Sequence, residues 1–256
     1  MHPVPSSDGP FRACVSGNER SSPLRAESLF ARGDMEIVGR MRWSSNATFL
    51  ARLADGDGEG LAVYKPGSGE RPLWDFPSGT LCRREMASFE LSEALGWSIV
   101  PTTVLREGPL GWGMVQRFIE HDPEEHYFTL QQSATDRFAV FAVFDIVVNN
   151  ADRKAGHCIR SVDGKIWGID HGLTFHVEPK LRTVIWDYAG LEIPEALLAD
   201  VLRVRDLLGD GDLGVRLREF LAVEEVEEIA HRMAVLLDEG VFPHPTSRYD
   251  LPWPVV

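Results

Sequence analysis

The sequence predicts an α+β fold of two lobes, a small antiparallel β-rich N-lobe carrying one helix and then a larger, mainly helical C-lobe. Three observations predict it. Short strand-like runs separated by Gly/Asp turns crowd into the first half of the ordered chain. The pattern then turns helical around a run, Phe138 to Val148, that is apolar nearly all round and therefore reads as a central buried helix. Finally, 256 residues with 44% hydrophobic content are enough to bury one or two cores.

The N-terminal stretch from Met1 to Ser28 is dense in Pro, Ser and Gly without periodicity, which predicts a flexible tail, with order beginning near Leu29. An N-lobe over residues 29–120 follows. Met35 to Trp43, Ala47 to Leu53 and Leu61 to Lys65 read as strands, the last two joined by the turn Asp55-Gly56-Asp57-Gly58. A Gly/Pro-rich loop from Pro66 to Gly79 leads into a helix over Arg83 to Leu95, with Gly96 as its stop. Thr102 to Arg106 and Gly113 to Phe118 complete the sheet around a turn at Glu107 to Gly111. In the C-lobe, residues 121–256, Ser133 and Asp136 form a capping-box signature ahead of the buried helix. A hairpin around Asp163-Gly164, helices over Pro194 to Leu208 and Leu213 to Leu237, and an extended docked tail from Phe242 to Val256 follow.

Thirty-nine acidic against twenty-six basic residues give a net charge of −13. Repulsion then argues against nucleic acid and against stable association with anionic membranes. No apolar run reaches membrane-span length, since Asp145 interrupts the longest. The N-terminus has no secretory h-region, and three cysteines without metal-ligand spacing suit a reducing compartment, so a cytoplasmic location is expected.

The strongest local signal is the polar cluster Asn149-Asn150-Ala151-Asp152-Arg153-Lys154-Ala155-Gly156-His157, directly after the buried helix. Its partner is Trp167-Gly168-Ile169-Asp170-His171-Gly172. If Asp163-Gly164 is a two-residue turn, the hairpin sets His157 directly opposite Asp170, a pairing that a bulge or longer loop would break. Phosphoryl transfer needs a carboxylate for the acceptor hydroxyl, ligands for a phosphate-bridging metal and a cation on the nucleotide. Asp152 suits the first role, Asp170 the second, and Lys65, at a strand end before Pro66, the third. Glu85 on the next helix can pair with Lys65, and Ser44, Ser45, Asn46 and Thr48 can offer donors to phosphates.

Val63-Tyr64-Lys65-Pro66, Arg84-Glu85-Met86-Ala87, Asn150-Ala151-Asp152-Arg153 and Ile169-Asp170-His171-Gly172 resemble the motif series of the phosphatidylinositol 3-/4-kinase-like families, whose superfamily includes the HipA-type kinases. The likeness spans about Met35 to Ala189. Over its whole length the chain resembles an actinobacterial family placed near those kinases, one that brings a bilobal protein-kinase-like fold but no established substrate. The resemblance implies ATP and a divalent metal, Mg²⁺ or Mn²⁺. It implies Lys65 on the phosphates with Glu85 as its partner, Asp152, with Asn150 in the same motif, as the catalytic carboxylate, and Asp170 as metal ligand. It also implies a hinge beside adenine from Gln116 to Glu120, including Phe118 and Ile119. Where these kinases place an Asn metal ligand, this chain has His157, which favours a His-tolerant metal or an altered site. The turn Trp43-Ser44-Ser45-Asn46-Ala47 lacks glycine and is closer to the Ser-containing loops of the lipid-kinase-like group.

The expectation is an ATP-dependent phosphotransferase acting on a small molecule, a lipid head group or a protein hydroxyl, with AMP transfer as a variant. A nucleotide-binding pseudokinase is the alternative. A metal hydrolase using Asp152, His157, Asp170, His171 or His176 ranks last, because it leaves Lys65 and Glu85 without a role. Asp145 reads as a buried structural acid bonded to the loop after its helix.

Overall fold

A five-stranded antiparallel sheet in the order β1-β2-β3-β5-β4 forms the N-lobe. The computed structural model describes residues 23–41, 46–56, 58–209 and 211–256. Its strands are β1 (Asp34–Arg40), β2 (Phe49–Asp55), β3 (Gly58–Pro66), β4 (Thr103–Gly108) and β5 (Gly111–Arg117). Alternation sends Ala51, Leu53, Ala62, Tyr64 and Val115 to one face, where they pack with Phe30 of helix α1 (Pro23–Arg32). That helix begins inside the stretch expected to be a flexible tail. Burial of Phe30 against the sheet supplies what local propensity lacks, and Pro is tolerated in a first turn. The β4–β5 turn is tighter than expected: Gly108 already pairs with Gly111, so both strands extend into the segment read as a loop.

Helix α2 (Leu81–Leu95) starts two residues before its expected position and ends at Gly96. Thr80 gives no side-chain cap; Glu70, from the loop after β3, accepts the Cys82 N–H at 2.9 Å and the Leu81 N–H at 3.3 Å instead. A short helix α3 (Tyr127–Leu130) precedes α4 (Thr135–Val148). The expected capping box does not form, because Ser133 Oγ turns back to donate to the Leu130 carbonyl at 2.9 Å. Helix α4 is the axis of the C-lobe core, with Phe138, Phe141, Phe144 and Val147 buried among residues of α2 and the later helices.

The hairpin β6 (Cys158–Arg160) and β7 (Ile166–Gly168) differs by one residue from the expected register. Cys158 pairs with Gly168 and Ile159 with Trp167, so His157 meets Ile169 rather than Asp170, their backbones bonded at 3.0 Å. The connection is a three-residue loop: Gly164, at φ +86°, donates to the Ser161 carbonyl, and Ser161 in turn donates to that of Lys165.

After α5 (Glu195–Arg205), the single helix expected over Leu213 to Leu237 is two, α6 (Asp212–Leu217) and α7 (Val223–Glu239). Leu217, Leu221 and Val226 all enter the core, and extended backbone at Ala222 makes the turn that allows it. The tail docks as expected, with Val255 O accepting from Ala155 N at 2.8 Å and Asp250 O from Thr183 N at 3.0 Å.

Candidate active site

Lys65 is the penultimate residue of β3, and its side chain leaves the sheet on the face opposite α1. Its Nζ lies 2.6 Å from Glu85 Oε1 and 2.7 Å from Asp170 Oδ1. Glu85, on the second turn of α2 and buried, uses its other oxygen to accept the His171 N–H at 3.0 Å. One glutamate therefore ties the N-lobe lysine to the C-lobe segment that carries Asp170. Burial opposes the lysine charge, but Asp170 and Glu85 outweigh it and raise its pKa. The Lys65 ammonium in turn holds the Asp170 carboxyl well below the usual carboxylate range, against the opposing effect of burial. Asp170 takes up left-handed backbone at φ +61°, just beyond the end of β7. That departure from the ladder accompanies a carboxylate turned toward Lys65 and His157 in spite of the shifted register.

The loop after α4 is built around Asp145, which is fully buried. Its carboxylate accepts from Arg153 Nε and Nη2 at 3.1 and 2.9 Å, from Asn150 Nδ2 at 2.9 Å and from Thr183 Oγ1 at 3.2 Å. Arg153, equally buried, also donates to the carbonyls of His157 and Ile169 and to His171 Nε2. Asn150 points inward to Asp145, and its Oδ1 accepts the Asp152 N–H at 3.0 Å, so it orders the loop rather than lining the cavity. These bonds leave the Asp152 side chain facing outward, paired with Lys154 at 2.8 Å. Burial raises the Asp152 pKa even though Lys154 lowers it.

His157 Nε2 stands 3.5 Å from Asp170 Oδ2, and Nδ1 accepts the Lys154 N–H at 3.4 Å. Burial lowers the ring's pKa to about 4, assisted by Arg153, Lys154 and Lys65 and opposed by Asp170, so the imidazole is neutral near pH 7. With Nδ1 accepting, the neutral ring carries its proton on Nε2 toward Asp170, so Asp170 offers oxygen donors to a divalent cation and His157 offers a nitrogen only in its other tautomer. Among the described residues no group of three His, Cys, Asp or Glu side chains forms a metal cage. The pair fits a cation whose remaining ligands are phosphate oxygens and water, the usual habit of Mg²⁺, and is too sparse for a structural zinc site.

A cavity of about 220 Å³ brings together Asn46, Lys65, Glu85, Asp152 and Asp170 from the expected set. Ser44 and Ser45 lie outside the described residues. Gln116, Phe118 and Ile119 are not among the residues lining this cavity. Gln116 is buried in β5 and donates to Thr103 Oγ1 at 2.9 Å, while the Phe118 N–H bonds Leu61 O, and Ile119 packs with Ile159, Trp167 and Ile169. Sequence reasoning missed Glu70, Arg71 and Lys154. Lys154 had a readable signal, a cation two residues from the key acid; Glu70 and Arg71 reach the cavity only through the path of the loop after β3.

The family model of phosphatidylinositol 3- and 4-kinase matches residues 82–197. Among solved structures, the proinflammatory kinase CtkA of Helicobacter pylori superposes with a TM-score of 0.51 at 11% identity, covering 83% of this chain and 94% of that one. Hydra Fam20, solved with sugar, does so at 0.50 and 12% identity, covering 84% and 87%. These likenesses show a kinase-like fold. A relative of full length is protein Rv2133c of Mycobacterium tuberculosis, 38% identical over 276 residues that cover 94% of this chain and 99% of the relative. Residues 82–197 are thus similar to the phosphatidylinositol 3- and 4-kinase model, and the chain belongs to the family of protein Rv2133c.

Proposed function

We propose that the chain is an ATP-dependent phosphotransferase that moves the terminal phosphoryl group of a metal-bound nucleotide to a hydroxyl acceptor. The observation that carries this reading is the bridge Glu85–Lys65–Asp170 across the two lobes, with Asp152 facing the same cavity. Lys65 is a rigidly held cation for nucleotide phosphates, and Glu85 fixes its direction. Asp170 would hold the divalent cation, with His157 as a nitrogen donor once its proton moves from Nε2 to Nδ1 and the bond from the Lys154 N–H is given up. The cation, Mg²⁺ or Mn²⁺, would neutralise charge on the phosphates during transfer. Asp152, presented outward by the Asn150–Asp145–Arg153 network, would orient the acceptor hydroxyl and take its proton. Its upward-shifted pKa suits that role, because burial makes the carboxylate a better base.

Apolar surface for a purine is present beside these groups. Val63 shares a face of β3 with Lys65, and Leu50 pairs with Val63 across the sheet. Ile119, Ile159, Trp167 and Ile169 form an apolar cluster where β5 runs into the C-lobe hairpin.

The test is thermal stabilisation by ATP with Mg²⁺ and with Mn²⁺, together with phosphate turnover, on the parent chain and on Lys65→Ala and Asp170→Asn. Ligand binding raises the melting temperature by mass action. Stabilisation and turnover in the parent, both lost in the variants, are expected. Stabilisation without turnover would favour a nucleotide-binding pseudokinase; no response to nucleotide with either metal would end the reading.

A further inference from the structure

Helix α2 carries Glu85, and its bonds show which lobe it moves with. Its buried apolar residues Ala87, Leu91 and Leu95 lie in the C-lobe core, whereas the sheet keeps a separate core with α1 on the face turned from Lys65. Polar bonds to the C-lobe then run along the whole helix. Near its start the buried Arg84 donates to the Thr174 carbonyl at 2.6 Å and pairs with Glu225 of α7, while Arg83 donates to the Glu219 carbonyl at 3.0 Å. Midway, Glu90 meets Arg216 of α6 at 3.0 Å. In the last turn Arg203 of α5 donates to the carbonyls of Ala94 and Leu95 at 2.9 and 3.0 Å, acceptors that a helix end leaves without intrahelical partners. Trp97 Nε1, just beyond, donates to Asp200 at 3.0 Å.

The chain on either side of α2 is held by the same lobe. Before it, Asp75 pairs with Lys180 at 3.1 Å, and Phe76 packs with Leu81 of α2 and Ala151 of the loop after α4. After it, Ile99 and Val100 enter the C-lobe core, and Ile99 O accepts the Gly168 N–H at 2.7 Å. Helix α2 also lies along β4 and β5, but its polar contacts with the sheet body, among the described residues, gather at its first two turns. There Glu85 holds Lys65, the Cys82 thiol donates to the Lys65 carbonyl at 3.3 Å, Glu70 caps the helix, and the Arg83 guanidinium lies 5.5 Å from the centre of the Trp112 ring. At the opposite end only Pro101 and Thr102 separate Val100 from β4. Arg71 to Trp74, all exposed, give slack between the part of the connection bonded to the sheet and Asp75. Two bodies joined by a short link at one end and by ion pairs at the other open at the ion pairs. Carrying α2 along would strand the buried Arg84 guanidinium away from Glu225, whereas lifting the sheet alone lets water reach Lys65.

We propose that α2 belongs to the C-lobe body and that the cleft opens by the sheet, with α1, lifting from it at Lys65. Glu85, Asp152 and Asp170 then stay in one fixed frame whether the cleft is open or closed. The inference deepens the phosphotransferase reading and rests on it for what enters the open cleft. Assembly of the Lys65–Glu85 pair follows from closure of the sheet alone, with no modification or partner acting on α2.

The experiment places spin labels in pairs on cysteines introduced in the full chain at Ser78 ahead of α2, Glu107 of β4 and Asp238 of α7, all exposed. Cys14→Ser removes one native thiol; Cys82 and Cys158 are buried, and burial pushes both up to about 12, so they stay unlabelled. Distances are measured by pulsed electron resonance on the parent, on Lys65→Ala and on the parent with ATP and Mg²⁺. Lys65→Ala should lengthen and broaden the 107–78 and 107–238 distances together while the 78–238 distance keeps its position and width. ATP with Mg²⁺ should narrow the same two distances in the parent, a perturbation that serves alone if Lys65→Ala does not fold. A 78–238 distance that changes while 107–78 holds would show α2 travelling with the sheet and overturn the proposal. So would three distances that neither perturbation moves. If Lys65→Ala separates the bodies but ATP neither shifts a distance nor raises the melting temperature of the parent, the assignment of α2 stands and the nucleotide reading beneath it falls.

Discussion

Replacing Asp145 by Asn tests whether the buried network behind Asp152 holds the site together. The carboxylate accepts from two nitrogens of Arg153, from Asn150 and from Thr183, and both it and Arg153 are fully buried. An amide keeps the shape but removes the charge and turns one end into a donor facing donors. The guanidinium is then left buried without its counter-charge, which typically costs about 3–5 kcal/mol. Against a total stability of about 5–15 kcal/mol this is a large fraction, and at about 2–4 °C per kcal/mol for a chain of this size it lowers the melting temperature by roughly 6–20 °C. The assay is urea unfolding of the parent, Asp145→Asn, Arg153→Met and the double variant Asp145→Asn/Arg153→Met. Because replacing both charges removes the unpaired one, the double variant should be less destabilised than the sum of the singles, although the bonds to His157 O and Ile169 O stay lost. A cost below about 1 kcal/mol for Asp145→Asn, within the range of ordinary substitutions, or strictly additive losses would refute the reasoning.

Asp152→Asn should abolish phosphate transfer while leaving the melting temperature unchanged or raised at neutral pH. An acid whose folded pKa lies above its unfolded value costs stability as pH rises through that interval, so removing the charge recovers it; a clear fall in melting temperature at pH 7 would contradict this. The acidic limb of the pH–rate profile should for the same reason lie above the ordinary Asp value of 3.8. Gly69→Ala should cost about 1–3 kcal/mol by overpacking, since its new Cβ would sit 2.5 Å from the Ala47 Cβ, and urea denaturation would read the loss. His157→Asn should shift the ratio of Mn²⁺-supported to Mg²⁺-supported activity toward Mg²⁺ if the imidazole is a ligand, because Asn offers the harder oxygen donor; an unchanged ratio would remove His157 from the metal.

What was legible in the sequence was whatever local pattern decides. The five strands, α2 and the buried α4 follow from periodicity, and Lys65, Glu85, Asp152 and Asp170, which share one cavity, lie on or just beyond elements that pattern could locate. The illegible parts were settled by tertiary contacts. Helix α1 owes its place to Phe30 on the sheet, and the break between α6 and α7 to three leucine and valine positions that must all face inward. The hairpin register turned on whether two or three residues formed the loop, which Asp163-Gly164 alone does not decide. The hinge expectation at Gln116 met a side chain already committed to Thr103, a cross-strand bond that no linear pattern reveals. Glu70 and Arg71 sit in a loop whose composition says turn and nothing about where it folds.

The pairings of the site are also exclusive in a way that bears on how it would be used. Lys65 and Asp170 neutralise each other at 2.7 Å, so the group proposed for phosphate and the group proposed for the metal each occupy the other. Glu85 breaks this symmetry: it holds the same ammonium at 2.6 Å and is itself anchored to His171 N–H, so Lys65 keeps its position and its charge when Asp170 lets go. A nucleotide anion drawing Lys65 away leaves Asp170 free for a cation, and a cation on Asp170 leaves Lys65 free for phosphate. Each event lowers the cost of the other, because the ion pair is broken only once. On the proposed reading the arrangement therefore favours nucleotide and metal entering together over either alone, and in a chain of net charge −13 it would keep the cluster of carboxylates from repelling the phosphates before the metal is in place.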